Sequence, residues 1–138
     1  MYGQEVDGGQ VAQVLLLRVR AGQREVQRSV YAKKLRVIIG RDAYTDVCLD
    51  DPMVSRVHAV IYRKAEGFVL YDRSANGTDV NGRRLPMHIL KDGDAITIGP
   101  FEITAEIYRE CDSSFHDRAV AEGWTIDDSR TISLPSVA

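Results

Sequence analysis

Short apolar runs alternate with polar turn signals along most of this chain. The strongest runs cover residues 14–19, 35–39, 57–62 and 68–71, and several are rich in β-branched or aromatic side chains. Runs this short, ended by glycine or acidic residues, predict strands rather than helices. The run at 14–19 is apolar almost throughout, which predicts a strand that is buried on both faces.

Weaker runs at 26–31, 47–49, 79–80, 95–98 and 101–108 extend the series. Alternation within 57–62 places His58 inside a strand, on the face opposite to Val57 and Ala59. Pro52 follows the run at 47–49 and prevents its continuation, and Asn81-Gly82 is a favoured hairpin turn. Many short strands with regularly spaced turns predict an all-β sandwich.

The two ends of the chain differ in composition from this central part. Residues 1–12 predict a flexible N-terminal arm, and residues 13–110 predict the β-sandwich domain. Residues 111–138 predict a C-terminal helix and tail, with the helix over 113–123 because Ser113 is a typical start and Gly123 a typical stop. The polar remainder predicts a flexible tail. The 138 residues are enough for one such domain of about 100 residues.

Three polar clusters lie between the central apolar runs. They are Gly40-Arg41, the sequence Ser-Arg-Val-His at 55–58, and the sequence Ser-Ala-Asn-Gly-Thr at 74–78, which continues to Asn81-Gly82. Loops that a rigid sheet holds in place are common locations for binding residues. Two cationic side chains, a hydroxyl and turn amides in such loops would suit a phosphate group.

Charge, cysteine content and the lengths of the apolar runs argue against several other classes of protein. The formal net charge is -2, so no strong field predicts a nucleic-acid or membrane partner. Cys48 and Cys111 have no CxxC spacing, which argues against zinc; two free thiols are favoured over a disulfide, although a disulfide stays open. No apolar run approaches the roughly 18 residues of a membrane helix, and the N-terminus lacks a secretory pattern. We therefore expect a cytoplasmic protein.

The polar motifs, in this order and with strands between them, resemble the forkhead-associated (FHA) domain family of phosphothreonine-peptide binding modules. The matching pieces are Gly40-Arg41, the Ser-Arg-x-His group, Asn-Gly-Thr at 76–78 and Asn81-Gly82, and the resemblance covers about residues 13 to 110. It implies a sandwich of about 11 short strands, with peptide recognition by loops at one end.

The resemblance also implies roles for individual residues. Arg41 would grip phosphate oxygens, the Ser55 hydroxyl would bond the phosphate, and Asn76 would bond the ligand main chain. Ala75 departs from one common version, in which a threonine touches phosphate. The phosphopeptide-binding positions are then Arg41, Ser55, Arg56, Ser74, Ala75 and Asn76.

A second group is expected to support these loops: Gly40, His58, Gly77, Thr78, Asn81 and Gly82. His58 has no identifiable nucleophile partner, so a buried structural role is favoured over a catalytic one. Gly77 is expected to take a positive φ. Asp42, Asp46, Asp50, Asp51 and Asp72 match no calcium-loop spacing, so these acids are read as turn formers and no metal is expected.

We therefore predict a phosphothreonine-peptide adaptor in serine/threonine kinase signalling, with no cofactor and no enzymatic activity. Its partner would be a phosphothreonine protein or a kinase. The alternative is a scaffold of the same fold that assembles through its sheet faces and ignores phosphate. Thr125, with Asp128 three residues later, is a candidate phosphosite through which the domain would bind its own tail; an incidental threonine is the favoured alternative, and Thr131 is a weaker candidate.

Overall fold

A computed structural model places the chain in a sandwich of two β-sheets, which confirms the predicted fold class. The structure describes residues 13–109 and, as backbone only, 130–133. The strands are β1 Gln13–Ala21, β2 Arg24–Tyr31, β3 Arg36–Gly40, β4 Val47–Cys48, β5 Ala59–Lys64, β6 Gly67–Asp72, β7 Asp79–Val80, β8 Arg83–Arg84, β9 Met87–Ile89, β10 Asp94–Ile98, β11 Phe101–Arg109 and β12 Arg130–Ser133.

The two sheets differ in size. One has seven strands in the order β12-β2-β1-β11-β10-β7-β8, and the other has five in the order β4-β3-β5-β6-β9. Alternate residues of each strand face the space between the sheets, where Leu15, Leu17, Ile61 and Leu70 belong to one core cluster. Burial of this apolar surface drives the two layers together.

The outer face of the seven-stranded sheet carries a second apolar cluster. It contains Val14, Leu16, Val30 and Ala32, with Tyr108 packed against it. Residues 14–17 are therefore buried on both faces of β1, with no measurable exposure. This explains why the first strand reads as a nearly continuous apolar run rather than an alternating one.

The second polar cluster lies differently from its prediction. Strand β5 begins at Ala59, so the placement of His58 inside a strand was wrong. Val57 is exposed and His58 is fully buried. The His58 amide donates to the Ile39 carbonyl at 2.8 Å. Its side chain points toward the neighbouring loops, so the alternation of faces predicted for residues 57–62 does not apply to it.

Three strands had no counterpart in the sequence prediction. β8 and β9 have two and three residues, too few to show a period. Residues 130–133, expected in a flexible tail, form β12, which pairs with β2 antiparallel. The pairing depends on β2, which is distant in sequence, and the sequence of residues 130–133 alone does not show it.

Several predictions fall outside the described residues: the arm 1–12, the helix 113–123, Cys111 and the candidate phosphosite Thr125. Cys48 carries a free thiol. Within the part of the chain that the structure describes, no helix has the length and apolar character needed to cross a membrane.

Candidate functional site

The three polar clusters meet at one end of the sandwich because of strand register. Ile39 of β3 lies opposite Ala59 of β5, and Ala59 lies opposite Asp72 of β6. The C-terminal end of β3, the N-terminal end of β5 and the C-terminal end of β6 therefore lie together at one end of the five-stranded sheet. Loops 41–46, 49–58 and 73–78 all emerge there.

Gly40 allows the first two loops to approach closely. A Cβ atom on this residue would lie 2.1 Å from the Arg56 carbonyl oxygen, inside any tolerated contact. The Arg41 amide then donates to the Ser55 carbonyl at 2.9 Å, and the Asp42 amide to the Arg56 carbonyl at 3.2 Å. The absence of a side chain at residue 40 thus permits a backbone junction between the loops.

Arg41 lies exposed at this junction. Its Nε donates to the Val54 carbonyl at 2.9 Å, which fixes the direction of the guanidinium group. Among the described residues, none bonds the Nη groups of Arg41. Two Nη groups on an anchored fork can bond an anion's oxygens in a bidentate manner.

Ser55 connects the second loop to the third. Its Oγ accepts a hydrogen bond from the Ala75 amide at 3.1 Å, which leaves the hydroxyl hydrogen able to donate. Asn76 makes a parallel connection, because its Nδ2 donates to the Met53 carbonyl at 3.1 Å. Arg56 is exposed beside them.

His58 lies beneath both loops and has no exposed surface. Its Nδ1 accepts from the Ser55 amide at 3.0 Å, and its Nε2 lies 3.0 Å from the Gly77 carbonyl oxygen. An acceptor at Nδ1 and a donor at Nε2 together require the neutral ring with its proton on Nε2. The side chain therefore braces the two loops from below.

The third loop is organised around Asp72. Its Oδ1 accepts from the Ser74 amide at 3.1 Å, the Ser74 hydroxyl at 2.6 Å and the Thr78 hydroxyl at 2.8 Å. Ser74 Oγ also accepts from the Gly77 amide at 2.7 Å. For the Ser74 hydroxyl to donate a hydrogen bond to a phosphate, it would have to leave Asp72.

Ionisation of Asp72 is favoured by this arrangement. Burial opposes its charged form, but hydrogen bonds from Ser74 and Thr78 outweigh burial and hold the pKa of this carboxyl below its ordinary value. Gly77 has the predicted positive φ, at 95°. Thr78 is fully buried, so its hydroxyl supports the loop from within.

The hairpin after β7 is attached to β10. Asn81 and Gly82 have φ of 51° and 83°, which fits a type I′ turn. Asn81 Nδ2 donates to Asp94 Oδ1 at 2.9 Å, and its Oδ1 accepts from the Ala95 amide at 2.9 Å. Burial disfavours the charged form of Asp94, yet hydrogen bonds from the Lys91 amide, Asn81 and His88 lower the pKa of Asp94.

Sequence reasoning missed the supporting roles of Asp94 and Thr45, whereas Asp72 was expected as a turn former and does organise the turn that follows it. Thr45 Oγ1 donates within its own loop, lying 2.6 Å from the Asp42 carbonyl oxygen and 3.1 Å from the Gly40 carbonyl oxygen. Acids at strand ends are expected in turns, but nothing in the sequence shows which amides or hydroxyls they accept from.

A groove of about 180 Å³ opens beside Asn76. Its lining residues are Met53, Asn76, Gly77, Asp79, Arg84, Thr97 and Gly99. Arg84 Nε pairs with Asp79 Oδ1 at 3.1 Å. The loop end therefore combines exposed cations, an oriented hydroxyl and an adjoining groove.

Comparisons with known proteins point to one family. The family model of the FHA domain matches residues 37–99. Among curated relatives, the ABC transporter ATP-binding/permease protein Rv1747 of Mycobacterium tuberculosis is 32% identical over 105 residues, which form 70% of this chain. The chain spans only 12% of that transporter's length.

Two solved structures are similar over much of this chain. An FHA domain studied for phosphothreonine-dependent interactions is 31% identical, with a TM-score of 0.60 over 69% of this chain and 97% of that chain. EmbR of Mycobacterium tuberculosis, solved in complex with a low affinity phosphopeptide, is 33% identical, with a TM-score of 0.61 over 78% of this chain and 27% of that chain.

Proposed function

The chain belongs to the forkhead-associated family, and from that premise we propose that it recognises phosphothreonine in peptides through the loops at one end of its sandwich. The observation that carries the proposal is the convergence of Arg41, Ser55 and Asn76 on three hydrogen-bonded loops. The solved relatives support it, because the structure of EmbR was solved in complex with a low affinity phosphopeptide.

The proposed roles follow from what each group can donate. A phosphothreonine carries a charge of about -1.5 to -2 and three acceptor oxygens. The Nη groups of Arg41 supply a positively charged fork, and the Ser55 hydroxyl supplies a neutral donor. Arg56 adds a second positive charge beside the loops, and because it is exposed, solvent and salt screen it.

Asn76 is assigned to the ligand main chain. Its Nδ2 has one hydrogen committed to Met53, so its Oδ1 and second hydrogen can pair with a peptide amide and carbonyl. The groove beside it would receive residues that follow the phosphothreonine. Burial of the threonine methyl would favour threonine over serine by about 0.8 kcal/mol.

The setting we infer is an adaptor in serine/threonine kinase signalling. The partner would be a phosphorylated protein or the kinase itself, and a cytoplasmic location would fit because kinases need ATP. The family is one of binding modules, so no reaction is assigned. Self-recognition through phosphorylated Thr125 remains a prediction, testable by phosphorylating the full chain and titrating an external phosphopeptide.

The proposal is tested by calorimetry with a phosphothreonine peptide and its unphosphorylated twin. We expect binding of the first only, and loss of at least about tenfold in affinity on Arg41→Ala, since a charge-assisted fork contributes about 1.5–3 kcal/mol. Arg20→Ala is the matched control, because Arg20 is exposed on the seven-stranded sheet. Equal affinity for the two peptides would refute phosphate recognition.

A further inference from the structure

The outer face of the five-stranded sheet presents two rows of side chains that the proposed function does not use. Register places them across β3, β5, β6 and β9. One row is Arg36, Tyr62, Val69 and Ile89, and the other is Ile38, Val60, Tyr71 and Met87. Their strand neighbours on the opposite face, including Val37, Ile61 and Leu70, belong to the core.

This face, here called the tyrosine face, is open to solvent at one side. Met87 is 48% exposed and Ile89 is 42% exposed, and both lie on β9 at the edge of the sheet. Tyr62 and Tyr71 are half-buried and meet edge to face, with ring centroids 5.5 Å apart and planes at 78°. Tyrosine and methionine are enriched in protein interfaces.

The charge on the tyrosine face has one sign. Lys64 Nζ donates to the Tyr71 hydroxyl at 2.8 Å and lies 5.0 Å from the centre of that ring. Arg36 is exposed in the same row as Tyr62. Among the described residues, the strand positions of this face include no carboxylate. The Glu66 carboxylate, whose charge interacts favourably with Lys64, belongs to the turn between β5 and β6.

We propose that the tyrosine face is a phosphate-independent docking surface for an acidic segment of a partner protein that also carries aliphatic or aromatic side chains. Val60 and Val69 at the centre of the face are already buried, so Met87, Ile89 and the two tyrosine rings would cover such side chains. Arg36 and Lys64 would pair with the carboxylates. Complementary charge of this kind selects partners and raises the association rate.

The size of the face argues against a second copy of this chain as its occupant. Four strands spaced about 4.8 Å apart, with two rows of side chains, present only a few hundred Å². A stable interface of standard size needs about 800 Å² from each partner. Two copies would also bring Arg36 and Lys64 toward their own counterparts, and like charges repel.

The chain's own residues 110–129 also combine carboxylates with apolar side chains. Both neighbours of that segment, however, belong to the seven-stranded sheet, since it joins β11 to β12. Connectivity therefore favours a partner's segment over this one on the tyrosine face.

The test uses the full ¹⁵N-labelled chain and two pools of unphosphorylated synthetic peptides. In one pool, aspartate and glutamate alternate with leucine, phenylalanine and tyrosine; in the other, lysine and arginine replace the acids. We expect the acidic pool to shift amides of residues 60–71 and 87–89, and not those of 41–46.

Matched variants separate the tyrosine face from the loop site. The double variant Arg36→Glu/Lys64→Glu should weaken acidic peptides at least about tenfold, whereas Arg20→Glu, on the other sheet, should not. Arg41→Ala should leave the binding of acidic peptides unchanged. Failure of the phosphothreonine test would therefore not decide whether the tyrosine face is a docking surface.

Three results would overturn the proposal. The first is a peptide titration in which both pools bind equally, or in which the amide shifts are confined to the loops. The second is self-association, detected by sedimentation and abolished by the double variant, which would make a second copy the occupant. The third is a shift of the amides of 110–129 when the double variant is made without peptide, which would make the chain's own segment the occupant.

Discussion

The loop end and the tyrosine face present side chains in different ways. At the loop end, the loops that carry Arg41, Ser55 and Asn76 are held by hydrogen bonds to the buried ring of His58 and the half-buried carboxyl of Asp72. On the tyrosine face, side chains stand on strands whose backbone is already fixed by the sheet. Substitutions should therefore affect stability strongly at the loop end and weakly on the face.

The largest expected loss follows His58→Ala. It removes a fully buried ring and leaves the Ser55 amide and the Gly77 carbonyl without their partner. We expect a loss of about 3–5 kcal/mol in the free energy of unfolding, measured by urea denaturation. Val57→Ala, next to it but exposed, should change little. Unaltered stability together with lost peptide binding would contradict a bracing role.

The next test concerns the junction at Gly40. Gly40→Ala forces a Cβ against the Arg56 carbonyl oxygen, and such overpacking costs about 1–3 kcal/mol. Gly22→Ala is the control, because a Cβ there meets nothing within 4 Å although φ is +68°. It should cost about 1 kcal/mol through backbone strain alone. If Gly22→Ala were the more damaging of the two, close approach would not be the reason for Gly40.

Asp72→Asn should have a smaller effect that depends on pH. The folded chain lowers the pKa of Asp72 from 3.8, so its contribution is complete above that value and is lost as pH falls through the lower folded value. At pH 7 we expect a loss of about 1–2 kcal/mol. The difference between wild type and variant, followed by thermal denaturation, should close in acid. A difference that stays constant down to pH 2 would show that ionisation is not involved.

The smallest expected effect belongs to the tyrosine face. Arg36→Glu/Lys64→Glu changes two exposed side chains, so the free energy of unfolding should change less than in any of the variants above. Thermal denaturation measures it. A large loss would mean that these cations support the fold, and the contrast between the two regions would fail.

The sequence determined the fold class, the order of the motifs and the conformations of the sharp turns. Short apolar runs separated by turn residues are sufficient for a β-sandwich, because period and length are local properties. The positive φ of Gly77, Asn81 and Gly82 could likewise be expected, since few residues adopt that region.

Only the tertiary structure decided which groups meet. The start of β5 at Ala59, the commitment of the Ser74 hydroxyl to Asp72 and the pairing of β12 with β2 all depend on partners far along the chain. The tyrosine face likewise exists only after four strands align in register. Hydrogen bonds and shared faces are relations between distant residues, and a local pattern does not contain them.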